Sequence, residues 1–207
     1  MRPFRRERGV MVPLDRADVD TDQIIPKQFL KRIERTGYGS ALFHDWRYTA
    51  DGGEREDFVL NREPYRRGSI LVAGRNFGCG SSREHAVWAL SDHGFRAVVA
   101  ASYADIFRTN ALKSGLLPVV LPEDEVRALL DLALEQPGVE AGVDLETESI
   151  SAGDLRFRFT LDPFERRCLL EGLDDIDLTL QHADAITAFE ERRPSWMPDL
   201  SRQPVAR

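Results

Sequence analysis

The stretch from Ser69 to Leu121 constrains the fold more than any other part of the sequence. Ser69–Ala73 is a compact apolar run of strand type ended by Gly74, and Ser81–Asp92 reads as a helix. Ala97–Ala101 is a second buried strand, Ala104–Ser114 a helical pattern closed by Gly115, and Leu116–Leu121 a third strand. Strands that follow one another through helices at this spacing pair in parallel, because a parallel neighbour can be reached only by a crossover. Glu123–Gln136 follows as an amphipathic helix with acids in its first turn, where the helix dipole favours them, and Pro137-Gly138 stops it. Val10–Leu14 supplies one more short strand, and Val143–Ile150 and Leu155–Thr160 alternate around Gly153-Asp154 as an antiparallel hairpin. Helical pieces near Phe164–Glu171 and Leu178–Arg193 precede a proline-punctuated end. The expected architecture is α/β, a three-layer β/β/α domain with a central parallel sheet, an antiparallel layer and C-terminal helices. It spans 1–193, with 194–207 as a flexible tail.

Composition narrows the function classes. With 207 residues, 42% of them hydrophobic, the chain can bury a core without a disulfide or metal staple. Its 28 basic residues fall short of its 35 acidic ones, which argues against a dedicated nucleic-acid binder. The longest apolar stretches, Ile70–Gly74 and Ala97–Ala101, are far below the ~20 residues of a membrane helix. Arg2, Arg5, Arg6 and Arg8 precede no apolar segment of the targeting kind, so Met1–Gly9 reads as a solvated, frayed terminus and the cytoplasm is the default. Lys31–Gly39 reads as a mobile loop and Arg47–Arg67 as surface connection. Cys79 and Cys168 are too few for a disulfide framework or an iron–sulfur cluster.

The chemistry concentrates in Gly74-Arg75-Asn76-Phe77-Gly78-Cys79-Gly80-Ser81-Ser82-Arg83-Glu84-His85, between the first parallel strand and its helix. Open α/β sheets bind ligands at that place. The glycines permit a sharp turn, the helix start attracts an anion, and Arg83 offers a planar fork for a carboxylate. Phosphate loops and dinucleotide fingerprints fail on residues, since no lysine follows Gly80 and Arg83 stands where a small residue is needed. A small carboxylate fits better. The bland readings are equally concrete: Ser81 and Glu84 form a capping box, His85 is a structural histidine, and Cys79 is a small filler.

Gly78-Cys79-Gly80-Ser81-Ser82-Arg83-Glu84-His85-Ala86 closely resembles the signature of the swivelling domain of the aconitase superfamily. Aconitases carry glutamate at the position of Cys79; the form with cysteine is similar to bacterial 3-isopropylmalate dehydratase small subunits. The resemblance continues through Val12–Asp15, Val19–Leu30, Arg35–Gly37, Ala104–Phe107, Leu116–Val119 and Gly172–Asp174. It implies a dehydration and rehydration that interconverts 2-isopropylmalate and 3-isopropylmalate in leucine biosynthesis. It further implies a large-subunit partner, in a heterodimer or heterotetramer, whose [4Fe–4S] cluster is the Lewis acid for the departing hydroxyl, with no cofactor on this chain. By match, Ser81 is the catalytic base. Ser82 and Arg83 hold a substrate carboxylate, and Thr21 and Asp22 belong to the ligand pocket; the loop Lys31–Gly37 reads the substrate's variable arm through Arg35, or on charge alone equally through Arg32 or Lys31.

Three alternatives stay open on the sequence. The first keeps the chemistry and changes the acid to homoaconitate or (R)-2-methylmalate (citramalate). The second is a non-catalytic anion-binding protein that uses the same helix start. The third is RNA binding through the arginine-rich terminus, weakened by a chain-wide bias in which lysine occurs only at 27, 31 and 113.

Overall fold

The computed structural model describes residues 1–31, 36–194 and 196. The chain divides into two compact units, Met1–Gly172 and Leu173–Arg207.

The first unit is built on a seven-stranded sheet of order β4-β3-β2-β1-β5-β6-β7. Its strands are β1 (Arg6–Leu14), β2 (Ile70–Ala73), β3 (Ala97–Ala100), β4 (Leu117–Val120), β5 (Glu140–Asp144), β6 (Ser149–Ala152) and β7 (Leu155–Arg158). Its helices are the single turns α1 (Thr21–Ile24) and α2 (His44–Arg47), then α3 (Glu84–His93), α4 (Asp105–Ser114), α5 (Glu123–Glu135) and α6 (Pro163–Glu171). The expected parallel sheet and antiparallel layer are both present and are continuous through β1. Met11–Leu14 runs parallel to Ile70–Ala73, whereas Arg6–Val10 runs antiparallel to Glu140–Asp144. Side chains alternate faces along a strand, and the buried residues sort accordingly. Val12, Leu14, Leu71, Ala73 and Val98 pack with α3 and Phe107 of α4. Met11, Ile70, Val72, Ala97 and Val99 pack with Val126, Leu129 and Leu130 of α5.

Four expectations are corrected. The segment read as one strand over 143–150 is β5 and β6, reversed at Leu145–Glu148, where Glu148 takes φ 51°. The terminus Met1–Gly9 is not frayed: Phe4 is buried, its N–H donates to the Leu169 carbonyl, and the Met1 ammonium donates to the Gly172 carbonyl. Arg5, Arg6 and Arg8 meet Glu146, Asp144 and Glu140 across the β1–β5 ladder. Arg47–Arg67 is more than surface: Phe58, Leu60 and Tyr65 are buried, and the Tyr65 hydroxyl donates to Ala133. Arg47 is also buried, donating through Nε to Asn61 Oδ1 at 3.1 Å. Finally, Tyr38 and Gly39, read as part of a mobile loop, pack closely on α3; a Cβ on Gly39 would lie 2.8 Å from Asp92 backbone.

In the second unit, the helix expected over 178–193 is two helices, α7 (Asp175–Leu180) and α8 (Ala183–Glu191), broken at Gln181-His182. Asp174 opens α7 with a capping box, its carboxylate accepting from the Ile176 and Asp177 amides. Neither helix has a buried residue. Of the expected tail, only Pro194 and Trp196 belong to the described residues.

Candidate active site

Because β1 and β2 run parallel with Leu14 beside Ala73, the segments leaving their C-terminal ends travel side by side. They form the site. The Gly78 and Cys79 amides donate to the Val19 carbonyl at 2.8 and 3.1 Å, and the Thr21 amide donates to the Cys79 carbonyl at 2.8 Å. Asp20 and Cys79 thereby make an isolated parallel bridge. Below them, Asn76 donates through Nδ2 to Asp18 Oδ1 (2.8 Å), while the Phe77 amide donates to the Ser102 carbonyl and Phe77 packs on Tyr103 and Phe107.

Glycine is required twice in this corner. Gly78 has φ +77°, and a Cβ there would stand 2.2 Å from the Phe107 ring; Gly80 has φ +88°, and its Cβ would stand 2.2 Å from Asp20 Oδ2. Asp20 is the N-cap of α1, accepting from the Asp22 amide at 2.6 Å, while Gln23 Oε1 accepts from the Asp20 amide. That capping box, Asp20-x-x-Gln23, is legible in the sequence as a pattern, although nothing in the pattern gives it a role.

Ser81 and Ser82 are exposed at the end of this turn. The expected Ser81–Glu84 capping box does not form: α3 starts at Glu84, its N-cap is Arg83, and no side chain caps it. The helix begins later because Arg83 is extended (φ −145°, ψ 110°), leaving Ser81 outside the first turn. The open first turn keeps the positive end of the α3 dipole beside the two serines. Arg83 is 10% exposed in its side chain and donates through Nη1 to Asp22 Oδ1. Lys27 Nζ stands 3.6 Å from the other Asp22 oxygen, a neighbour that no sequence pattern singles out. Thr21 is buried, at 2% exposure, and its hydroxyl donates to the Ser81 carbonyl at 2.9 Å.

The structure thus brings together Thr21, Asp22, Ser81, Ser82 and Arg83; Arg35, with 32–34, lies outside the described residues. His85 lies tilted against Trp88 at 4.7 Å and meets the Tyr38 ring edge-on, the surroundings of a packed side chain. Burial, and then the charges of Asp20 and Asp18, push the Cys79 thiol up. Cys168 is buried within α6. Two cysteines are fewer than the thiolate set that holds an iron–sulfur cluster, and among the described residues no three His, Cys, Asp or Glu side chains converge for a metal.

Residues 1–124 match the family described as Aconitase C-terminal domain, and 175–202 match the C-terminal domain of the 3-isopropylmalate dehydratase small subunit. The chain belongs to the aconitase C-terminal domain family, the class that the mixed sheet and the strand-to-helix corner define. Within it, the likeness is to the small subunits of 3-isopropylmalate dehydratase. Among solved structures, the 3-isopropylmalate dehydratase of Methanocaldococcus jannaschii is similar at 29% identity and a TM-score of 0.65, covering 89% of this chain and 99% of that one. Aconitase X of Thermococcus kodakaraensis, in its holo form, is matched at 16% identity and a TM-score of 0.38, over 72% of this chain and 91% of that one. No helix among the described residues is long and apolar enough to cross a membrane.

Proposed function

We propose that this chain is the small subunit of a cytoplasmic 3-isopropylmalate dehydratase, a hydro-lyase of leucine biosynthesis that is active only with its large subunit. One observation carries the reading. Ser81 presents its hydroxyl to solvent at the point where an uncapped helix start, Arg83 and the Thr21-Asp22 turn meet. The large subunit's [4Fe–4S] cluster would supply Lewis-acid chemistry for the hydroxyl that leaves. The work of this chain is the proton on the neighbouring carbon.

Ser81, as an alkoxide, removes that proton and returns it in the reverse addition. A serine hydroxyl is too weak an acid to ionise unaided, so the surroundings must favour O⁻. The first-turn amides of α3 and the Arg83 guanidinium are preorganised to do so. Asp20 and Asp22 would oppose the anion, but both are engaged, Asp20 by the α1 amides and Asp22 by Arg83 and Lys27. Asp22 occupies one edge of the guanidinium and leaves donors for a substrate carboxylate, to which the exposed Ser82 would add a hydroxyl. A charge-assisted hydrogen bond of that kind is worth about 1.5–3 kcal/mol.

The test is turnover of isopropylmalate, homoaconitate and citramalate by the chain reconstituted with its large subunit. Preference for isopropylmalate is the expected result. Better use of another acid overturns the substrate, and binding of these acids without turnover overturns the enzyme.

A further inference from the structure

Thr21 does not behave like a substrate ligand. A ligand-binding hydroxyl needs a path to the ligand, whereas Thr21 is 2% exposed and its only donor proton is committed to the Ser81 carbonyl. Its amide donates to the Cys79 carbonyl, so one residue holds two carbonyls of the opposite segment, those of Cys79 and Ser81. Between those two anchors lies Gly80, in a left-handed conformation and pressed against the Asp20 carboxylate. Ser81 itself has no cap hydrogen bond and no side-chain partner among the described residues, and it sits at the surface. With its side chain unrestrained, its peptide must be fixed from behind if Oγ is to keep one direction. The Thr21 hydroxyl, bonded to the Ser81 carbonyl, is placed to do this.

We infer that Thr21 is a positioning residue: its hydroxyl fixes the Ser81 carbonyl and thereby aims the Ser81 hydroxyl at the substrate. The inference rests on the reading of Ser81 as the base. Positioning of a reacting group is felt in the rate, and a misplacement of about 1 Å can cost 10²-fold. It is not felt in the binding of a carboxylate by Arg83. Loss of the hydroxyl should therefore appear in kcat and spare KM.

The experiment compares Thr21→Val, nearly isosteric and without the hydroxyl, with Thr21→Ser, which keeps it. In the reconstituted enzyme, Thr21→Val is expected to lower kcat about tenfold to a hundredfold with KM within about threefold, and Thr21→Ser to recover most of the rate. In the isolated chain, Thr21→Val should move the ¹³C and amide resonances of Gly80, Ser81 and Ser82, whereas Thr21→Ser should leave them near their original places. Unchanged kcat in Thr21→Val overturns the inference, as does a rise in KM that accounts for the whole loss. Failure of Thr21→Ser to restore the rate overturns it too. If Thr21→Val does not fold, Thr21→Ala takes its place, and if both unfold the residue serves stability and the inference fails. A wild-type pair that turns over none of the three acids defeats the proposed function instead; the resonance comparison then still decides whether Thr21 holds the turn.

Discussion

Gly80 and Ser81 are neighbours with opposite tolerances. At Gly80, a methyl group would meet the Asp20 carboxylate and the backbone would keep an unfavourable positive φ. Gly80→Ala is therefore expected to cost about 2 kcal/mol or more, seen as a lower urea midpoint, and to cut turnover through displacement of Ser81. Ser81 is exposed and caps nothing, so Ser81→Ala should leave the unfolding free energy from urea titration within about 0.5 kcal/mol of the parent's while removing dehydration. Turnover close to the parent's would dismiss Ser81 as the base. The sequence alone suggests a cap at Ser81 because serine followed three residues later by glutamate fits that pattern. It cannot display the extended Arg83 that moves the helix start to Glu84. Thr21 is legible only through family resemblance, since no spacing rule connects residues that lie 60 positions apart.

Among the elements, α3 joins the reactive corner to a second electrostatic feature at its other end. Burial, and then the Arg47 charge, pull His93 down to about 4. A histidine that stays neutral in the fold and takes up a proton near pH 6.5 when unfolded weakens the fold between those values as pH drops. Stability at pH 7 should thus exceed that at pH 4.5 by an amount on the order of 2 kcal/mol from this group, and His93→Gln should flatten the slope in urea titrations across that range. An unaltered slope would place the acid sensitivity elsewhere. The alternation from β2 to α5 is readable because apolar runs and helical periods are local signals. The first half of β1 is not. Its arginines look like a solvated charge run, and their partners Glu140, Asp144 and Glu146 are more than 130 residues away in the chain.

For the whole molecule, both clusters of buried hydrophobic residues lie within Met1–Gly172. That unit holds its own core, so a chain ending at Gly172 is predicted to unfold cooperatively with a Tm within a few degrees of the parent, about the change that 1 kcal/mol makes at this size. Loss of the transition would show that the remaining residues are needed for folding. Ile176, Leu180, Ile186 and Phe189 are exposed on α7 and α8, so the same truncation tests whether assembly with the proposed large subunit needs those helices.

The pairing of β1 with β2 also acts as proofreading. Each step of strand advances the chain by about 3.3 Å, so a slip of one position would draw the Thr21 hydroxyl beyond reach of the Ser81 peptide and turn every inward side chain of β1 outward. Under the proposed function, a misthreaded molecule would then be inert as well as unstable, and no half-competent version would accumulate.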